Sequence, residues 1–238
     1  EMEGLLTTKE LTHSLYNTMK GDSSPGVDGF TVNYLRTVWD DLKHLTTLAL
    51  NSSIGNTLTS SLRLAIVKLL RKGQKDPTLP GNYRPISLLS IFYKLASSAI
   101  TNRIKPAIDR IIGPEQKAYT DQKNIGSVIC NITNMMHKTI SKKESNIIML
   151  IDFKKAFDSL SHAFIFSTLK TLGFGPDIIK YIKLFLTQRE ARILAGGHLT
   201  DTIHLQQGVP QGDIISPYIF LLMVEVLLIK ITKTKNIT

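Results

Sequence analysis

The sequence predicts an α+β fold, and three observations carry that prediction. Strand-like and helix-like runs follow one another in irregular order, without the regular βαβ repeat of a parallel sheet. Hydrophobic residues make up 42% of the 238 residues, enough to fill a core and to exclude disorder over the whole length. No internal repeat or low-complexity tract divides the chain.

Taken in order, residues 1–20 read as an amphipathic helix, with Leu5, Leu11, Leu15 and Met19 at near-helical spacing. The turn-rich string Ser23-Ser24-Pro25-Gly26-Val27-Asp28-Gly29 follows. Thr31 is suited to cap the next helix, whose inner face holds Leu35, Val38, Trp39 and Leu42. Leu62 to Leu70 and Tyr83 to Leu88 read as paired strands around the basic loop Lys72 to Pro77. Long helices are expected over Ile91 to Arg110 and Ile125 to Ser141. The apolar run Asn146 to Ile151, bounded by polar residues, reads as a buried strand. Helices are then expected at Ser161–Leu172 and Pro176–Leu186, and a hairpin over Ala191–Leu205 that turns at Gly196-Gly197. Ser216 and Pro217 read as the cap and first position of a final helix, apolar almost all round.

Composition narrows the class of function. Cys130 is the single cysteine, which excludes an internal disulfide and a Cys-based zinc cluster and fits a reducing, intracellular setting. Glu1, Glu3 and Glu10 stand where a secretory n-region would be basic, so no signal peptide is expected. The most apolar stretch, Tyr218 to Ile229, is interrupted by Glu225 and falls short of the ~20 residues of a membrane span. The net charge of +10 is unevenly spread. Residues 1–60 hold 4 Lys/Arg against 7 Asp/Glu, residues 61–144 hold 15 against 5, and residues 145–238 hold 10 against 7. The middle segment therefore holds the excess, which suits a polyanion partner or, more simply, a solvated basic face.

Three features point to chemistry, and each has an ordinary alternative. Ile147 to Ile151 leads into Asp152, so an apolar strand would hold a carboxylate at its mouth. A carboxylate placed there suits Mg²⁺, and two such ions ~3.5–4 Å apart stabilise both the attacking and the departing oxygen of a phosphoryl transfer. A strand-end Asp capping the next turn is the alternative. Gln206 to Pro217 sets two glycines and a proline around Gln211 before a helix start, a place where backbone amides donate to phosphate. A plain strand-to-helix connection uses the same residues. Lys68, Arg71, Lys72, Lys75 and Arg84 surround one loop and could neutralise a triphosphate or a template backbone, or merely face solvent.

Order and spacing together resemble one family. Ser24-Pro25-Gly26-Val27-Asp28-Gly29, Lys72 with Lys75-Asp76-Pro77, Asn82 to Leu88, Tyr93-Lys94 and Asn102-Arg103-Ile104 are similar to segments of non-LTR (LINE-type) retrotransposon reverse transcriptases. Ile151 to Asp158 resembles the first catalytic motif of that family, and Gly208 to Asp213 with Ser216-Pro217 its template-grip motif. The resemblance spans residues ~20 to 231. It implies a right-hand polymerase fold: an N-terminal extension with the first motif over 1–60, fingers over 61–144 and a partial palm over 145–238, with the thumb absent.

The resemblance also implies roles. Asp152 would be the catalytic metal ligand, with the carbonyl of Phe153 as a further ligand, for Mg²⁺ or Mn²⁺. Phe157 would exclude a ribose 2′-hydroxyl. Lys72 and Arg84 would clamp the triphosphate, and Gln211 and Gly212 would line the nucleotide pocket. Lys68, Arg71, Lys75 and Lys123 would meet the template, and Asp158 would turn away from the metals. The implied reaction is attack of a primer 3′-hydroxyl on a dNTP along an RNA template, with a DNA primer or target and no membrane. Oligomeric state stays open. The chain ends before any aromatic-x-Asp-Asp motif, which predicts little polymerisation by the chain alone and an unpaired sheet edge beside the Asp152 strand. Ala118 and Lys123 depart from the family's usual Gly and Arg. Two other readings are a nucleic-acid-binding remnant without catalysis and a group II intron maturase.

Overall fold

The computed structural model describes residues 2–119, 124–143, 145 and 147–234. Helix α1 (Thr8–His13) starts on a capping box, in which Thr7 Oγ1 accepts from the Glu10 amide and Glu10 accepts from the Thr7 amide. It runs on through a π-helical turn, Ser14–Thr18, so the expected helix over 1–20 narrows to these residues. Thr31 caps α2 (Val32–Thr37) as expected, its hydroxyl accepting from the Tyr34 amide. Val38 breaks the run before α3 (Trp39–Ser52), and Leu35 and Trp39 are buried. A short α4 (Ser60–Arg63) leads into the sheet.

The sheet is built on β1 (Leu64–Arg71). Antiparallel β2 (Tyr83–Leu88) pairs on one side and parallel β3 (Arg189–Ala195) on the other. Two short strands, β4 (His198–Leu199) and β5 (Ile203–Leu205), return antiparallel to β3, beyond a turn at Gly196-Gly197 that takes left-handed backbone at both residues. Ala65 and Val67 are buried, but β1 is exposed from Lys68 onward. The β1–β2 ribbon therefore leaves the core and carries its cations outward.

Helix α5 (Ile91–Ile111) is the axis of the core. It buries Leu95, Ile100, Ile104 and Ile108 against α1, α8 (Pro176–Leu186) and α9 (Ser216–Lys233), while α7 (His162–Thr171) packs on α8 and α9. Full burial of one such side chain contributes roughly 1.5–3 kcal/mol. The N-terminal motif serves this helix. Ser90 makes no side-chain cap; instead Asp28 Oδ2 accepts from the Ile91 amide at 3.0 Å. Gly26 lies so close that a β-carbon there would sit 2.4 Å from the Leu89 carbonyl, so only glycine fits. Farther along, Arg103 donates to the carbonyls of Gly4 and Leu5, each at 2.7 Å, and to the Glu10 carboxylate, while Asn102 donates to the hydroxyls of Ser14 and Thr18. Two stretches of the family resemblance are thus scaffolding.

Several expectations need correction. Residues 147–151 form no strand, and Ile147 and Leu150 are 93% and 90% exposed; Asn146 lies outside the described residues. A strand exists by pairing, and no described strand pairs with this run. The expected edge beside it is therefore not part of the sheet. Helix α6 (Ile125–Lys142) forms as expected, capped by Asn124, yet it buries no residue. Ser216 makes no capping hydrogen bond, and its Oγ is buried without a partner; the proline in the first turn, Pro217, marks the start of α9 instead.

Candidate active site

One cavity of about 820 Å³ opens where the β1–β2 ribbon, the turn after Asp152 and the loop before α9 converge. The ribbon contributes Lys72 and Arg84, the turn Asp152, Phe153 and Phe157, and the loop Gln211 and Gly212. All seven residues singled out for catalysis, metal and nucleotide thus share one space. Among the expected template contacts, Lys68, Arg71 and Lys75 lie outside the cavity lining. Lys123 lies outside the described residues.

Each wall is held differently. The loop 72–82 is tied by its own hydrogen bonds. The Lys72 amide donates to the Asn82 carbonyl at 2.8 Å, and Asp76 accepts from the Thr78 amide at 2.8 Å. Tyr83 Oη donates to the Pro77 carbonyl at 2.9 Å, and Lys72 Nζ donates to the Gly81 carbonyl at 3.0 Å, in reach of the cavity.

The turn 154–160 departs from regular structure, with Lys155 in the left-handed region at φ 52°. It is bound to the loop before α9 by backbone. The Gly208 amide donates to the Leu160 carbonyl at 2.8 Å and the Val209 amide to the Phe157 carbonyl at 2.9 Å. Gly208 has φ +79°, and a β-carbon there would lie 2.9 Å from the Asp158 backbone; this close approach requires glycine. On the opposite side the Ser87 amide of β2 donates to the Gln211 carbonyl at 2.8 Å, covering the sheet edge. Phe157 stacks on Phe220 of α9, ring centres 5.3 Å apart, and Phe153 meets the same ring edge-on.

The cavity also contains residues that sequence reasoning missed. Asp158 is among the lining residues, and its charge acts on the buried Arg189. Lys154, Lys155 and Tyr119 line it too, the last with φ 55°. Lys154 and Lys155 were legible, since they sit inside the Asp152 motif. Tyr119 adjoins Ala118, in the loop where the sequence departs from the family's usual Gly. Asp213, from the same loop as Gln211, is 4% exposed, and Ser97 Oγ of α5 donates to its Oδ1 at 2.5 Å. Burial pushes its carboxyl above the usual range, against the opposing pull of hydrogen bonds from Ser97 and Tyr93 and of the Arg189 charge.

Hard oxygen donors with several cations around a concave space are of the kinds that suit phosphate. As for a metal, the Asp152 carboxylate and the Phe153 carbonyl are oxygens of the kind Mg²⁺ takes, and Mg²⁺ is usually held by one or two carboxylates together with substrate phosphates. The described residues include no group of three His, Cys, Asp or Glu placed to hold an ion by themselves. The residues fit a metal delivered with a triphosphate.

Residues 70–238 match the family model described as reverse transcriptase (RNA-dependent DNA polymerase), and the chain belongs to that family. Its relatives come from retrotransposable elements, as the resemblance to the non-LTR enzymes implied. It is 30% identical over 94% of its length to the transposon TX1 uncharacterized 149 kDa protein of Xenopus laevis. It is 28% identical over 90% to the Pol polyprotein of the type-1 retrotransposable element R2 of Popillia japonica. It is 26% identical over 90% to the RNA-directed DNA polymerase from mobile element jockey of Drosophila funebris. The chain spans only 17%, 29% and 24% of these three proteins. A solved apo telomerase from Candida tropicalis aligns over 86% of the chain at 13% identity with a TM-score of 0.46. Among the described residues no helix is long and apolar enough to cross a membrane.

Proposed function

We propose that the cavity receives a Mg²⁺-bound dNTP for RNA-directed DNA synthesis, the growing strand being primed on DNA and copied from RNA. The observation that carries this reading is that Asp152, Lys72, Arg84 and Gln211 line the same cavity. Asp152 and the Phe153 carbonyl hold the metal, which supplies Lewis-acid stabilisation of the phosphates when bound. Mn²⁺ would serve the same donors. Lys72 and Arg84 are positioned to neutralise the triphosphate, and Arg84, with its planar fork, does so bidentately. The Phe157 ring, backed by Phe220, would crowd the 2′-hydroxyl of a ribose bound against it. Gln211 and Gly212 approach the base through backbone that no larger residue permits: Gly212 has φ +110°.

The test is equilibrium binding of a fluorescent dATP analogue with and without Mg²⁺. Micromolar binding that needs Mg²⁺ and is lost in Asp152→Asn, by about a hundredfold or more, is the expected result. Affinity indifferent both to chelation and to Asp152→Asn would end this reading.

A second reading, nucleic-acid binding without turnover, draws on the cations around the cavity, which suit a polyanion whether or not it reacts. Primer extension on an RNA template separates the two. Incorporation of dNTP supports the enzyme; retained RNA binding with no incorporation supports the binder.

A further inference from the structure

Beneath the cavity lies a set of buried polar groups that the nucleotide reading does not use. Arg189, at the start of β3, is 5% exposed, and its guanidinium donates to the Gly208 carbonyl at 3.3 Å. His162 Nε2 lies 2.9 Å from the same oxygen, which can only accept, so this nitrogen carries a proton. Asp213 takes the Ser97 hydroxyl on Oδ1. Tyr93, one turn before Ser97 on α5, is buried beside them, its hydroxyl placed between the Phe185 carbonyl at 3.2 Å and the Asp213 carboxyl. An arginine and an aspartate thus flank a six-residue loop from below, one holding each end. Burying two charged groups is costly, and a loop needs no charge merely to connect a strand to a helix.

We propose that Arg189 and Asp213 are positioning residues that lock the 208–213 loop, and through it the Phe157–Asp158 turn, in the geometry that admits deoxyribose. The connection is continuous. Arg189 fixes Gly208; the Gly208 and Val209 amides fix the carbonyls of Leu160 and Phe157; Asp213 fixes the far end of the loop to α5, with Gln211 and Gly212 between. A shift of the loop therefore moves Gln211 and Phe157 together, the two sides between which a sugar would sit. Misplacement by about 1 Å costs up to a hundredfold in a site of this kind. The inference rests on the nucleotide reading for what the geometry selects, but not for whether the anchor exists.

Two measurements on the full chain keep these apart. The first is amide hydrogen exchange. In Asp213→Ala, and in the milder Ser97→Ala should the former fold poorly, the Gly208 and Val209 amides lose protection while the α8 amides keep theirs; Asp213→Asn, which retains an acceptor for Ser97, restores it. The second is the ratio of dATP to ATP affinity with Mg²⁺. It falls about tenfold in Asp213→Ala and in Arg189→Met, and by less than about threefold in Asp213→Asn. A merely structural role would weaken both nucleotides equally and leave the ratio alone. Wild-type exchange at Gly208 and Val209 in folded Ser97→Ala and Asp213→Ala would overturn the anchor. Lost protection with an unchanged ratio would overturn its selective role. A wild-type chain that binds neither nucleotide would overturn the nucleotide reading and the selectivity with it, while exchange still decides whether the loop is anchored.

Discussion

Helices α5 and α6 meet opposite environments although both carry an apolar stripe at helical spacing. α5 buries eleven of its residues, including Leu95, Ile100, Ile104 and Ile108, between α1, α8 and α9. α6 buries none, and Ile125, Ile129, Met135 and Ile140 stand exposed along it. The same division runs through the cavity. Its ribbon-and-loop wall is pinned to the core through Ser87, Gly208 and Asp213. Its other wall is entered through residues 147–153, which are exposed and unpaired up to the 154–160 turn. Patterning specifies a face, and burial of that face depends on what meets it. Asp152 stands at the join: carried by the open segment, it is brought to the cavity by the turn that Gly208 and Val209 hold.

The largest effect that could break this contrast is on stability. Ile104→Ala in α5 should cost about 2–5 kcal/mol, the usual loss for a large side chain removed from a packed core. Ile129→Ala in α6 should cost less than about 0.5 kcal/mol, because its side chain already meets solvent. Urea unfolding of the two variants beside the wild type measures both. Equal losses would mean that α6 is packed in solution.

Next in size is the effect on binding. Replacing Lys72 and Arg84 together by alanine should weaken association with single-stranded RNA and flatten its dependence on log salt by about one unit for each cation that meets phosphate. The pinned wall then contributes the polyanion affinity, whereas Lys142→Ala and Lys143→Ala, at the end of α6, should change the slope less. An unchanged slope in the double variant would show that the ribbon cations do not face phosphate.

Much of this was legible in the sequence wherever the cause was local. Tyr83–Leu88 and Pro176–Leu186 were read to the residue, since a β-rich run behind a turn and a proline at a helix start are short-range signals. Family spacing brought Lys72, Arg84, Asp152 and Gln211 into one inventory. The run Asn146 to Ile151 reads as a strand because apolar content says that a segment prefers burial, not that a partner strand is present to supply it. Arg189 and Asp213 were passed over for a related reason. Nothing in an isolated Arg after Thr187-Gln188, or an Asp after Gly212, says that the two will be buried on either side of one loop. Ser216 reads as a cap by residue type, and the packing around it leaves its hydroxyl unpartnered instead.

The smallest expected effect concerns how the N-terminal segment is held on α5. Partial burial pushes the Glu10 carboxyl up, but the hydrogen bond from Arg103, aided by the Thr7 hydroxyl and amide, outweighs it and lowers the pKa from 4.5 to about 2. A carboxyl depressed in the folded state binds a proton more readily when unfolded, so its contribution is full above pH 4.5 and declines as pH falls towards about 2. Because Glu10 is partly open to water, the contribution is discounted to under about 1 kcal/mol. Urea unfolding at several values between pH 6 and pH 3 should show stability falling with acid, and Glu10→Gln should flatten the part of that fall that belongs to the Arg103 clamp. If the wild type and Glu10→Gln lose stability in parallel, the clamp on the N-terminal segment owes nothing to the charge of Glu10. The carbonyls of Met2, Gly4 and Leu5 would then carry its anchoring on Arg103.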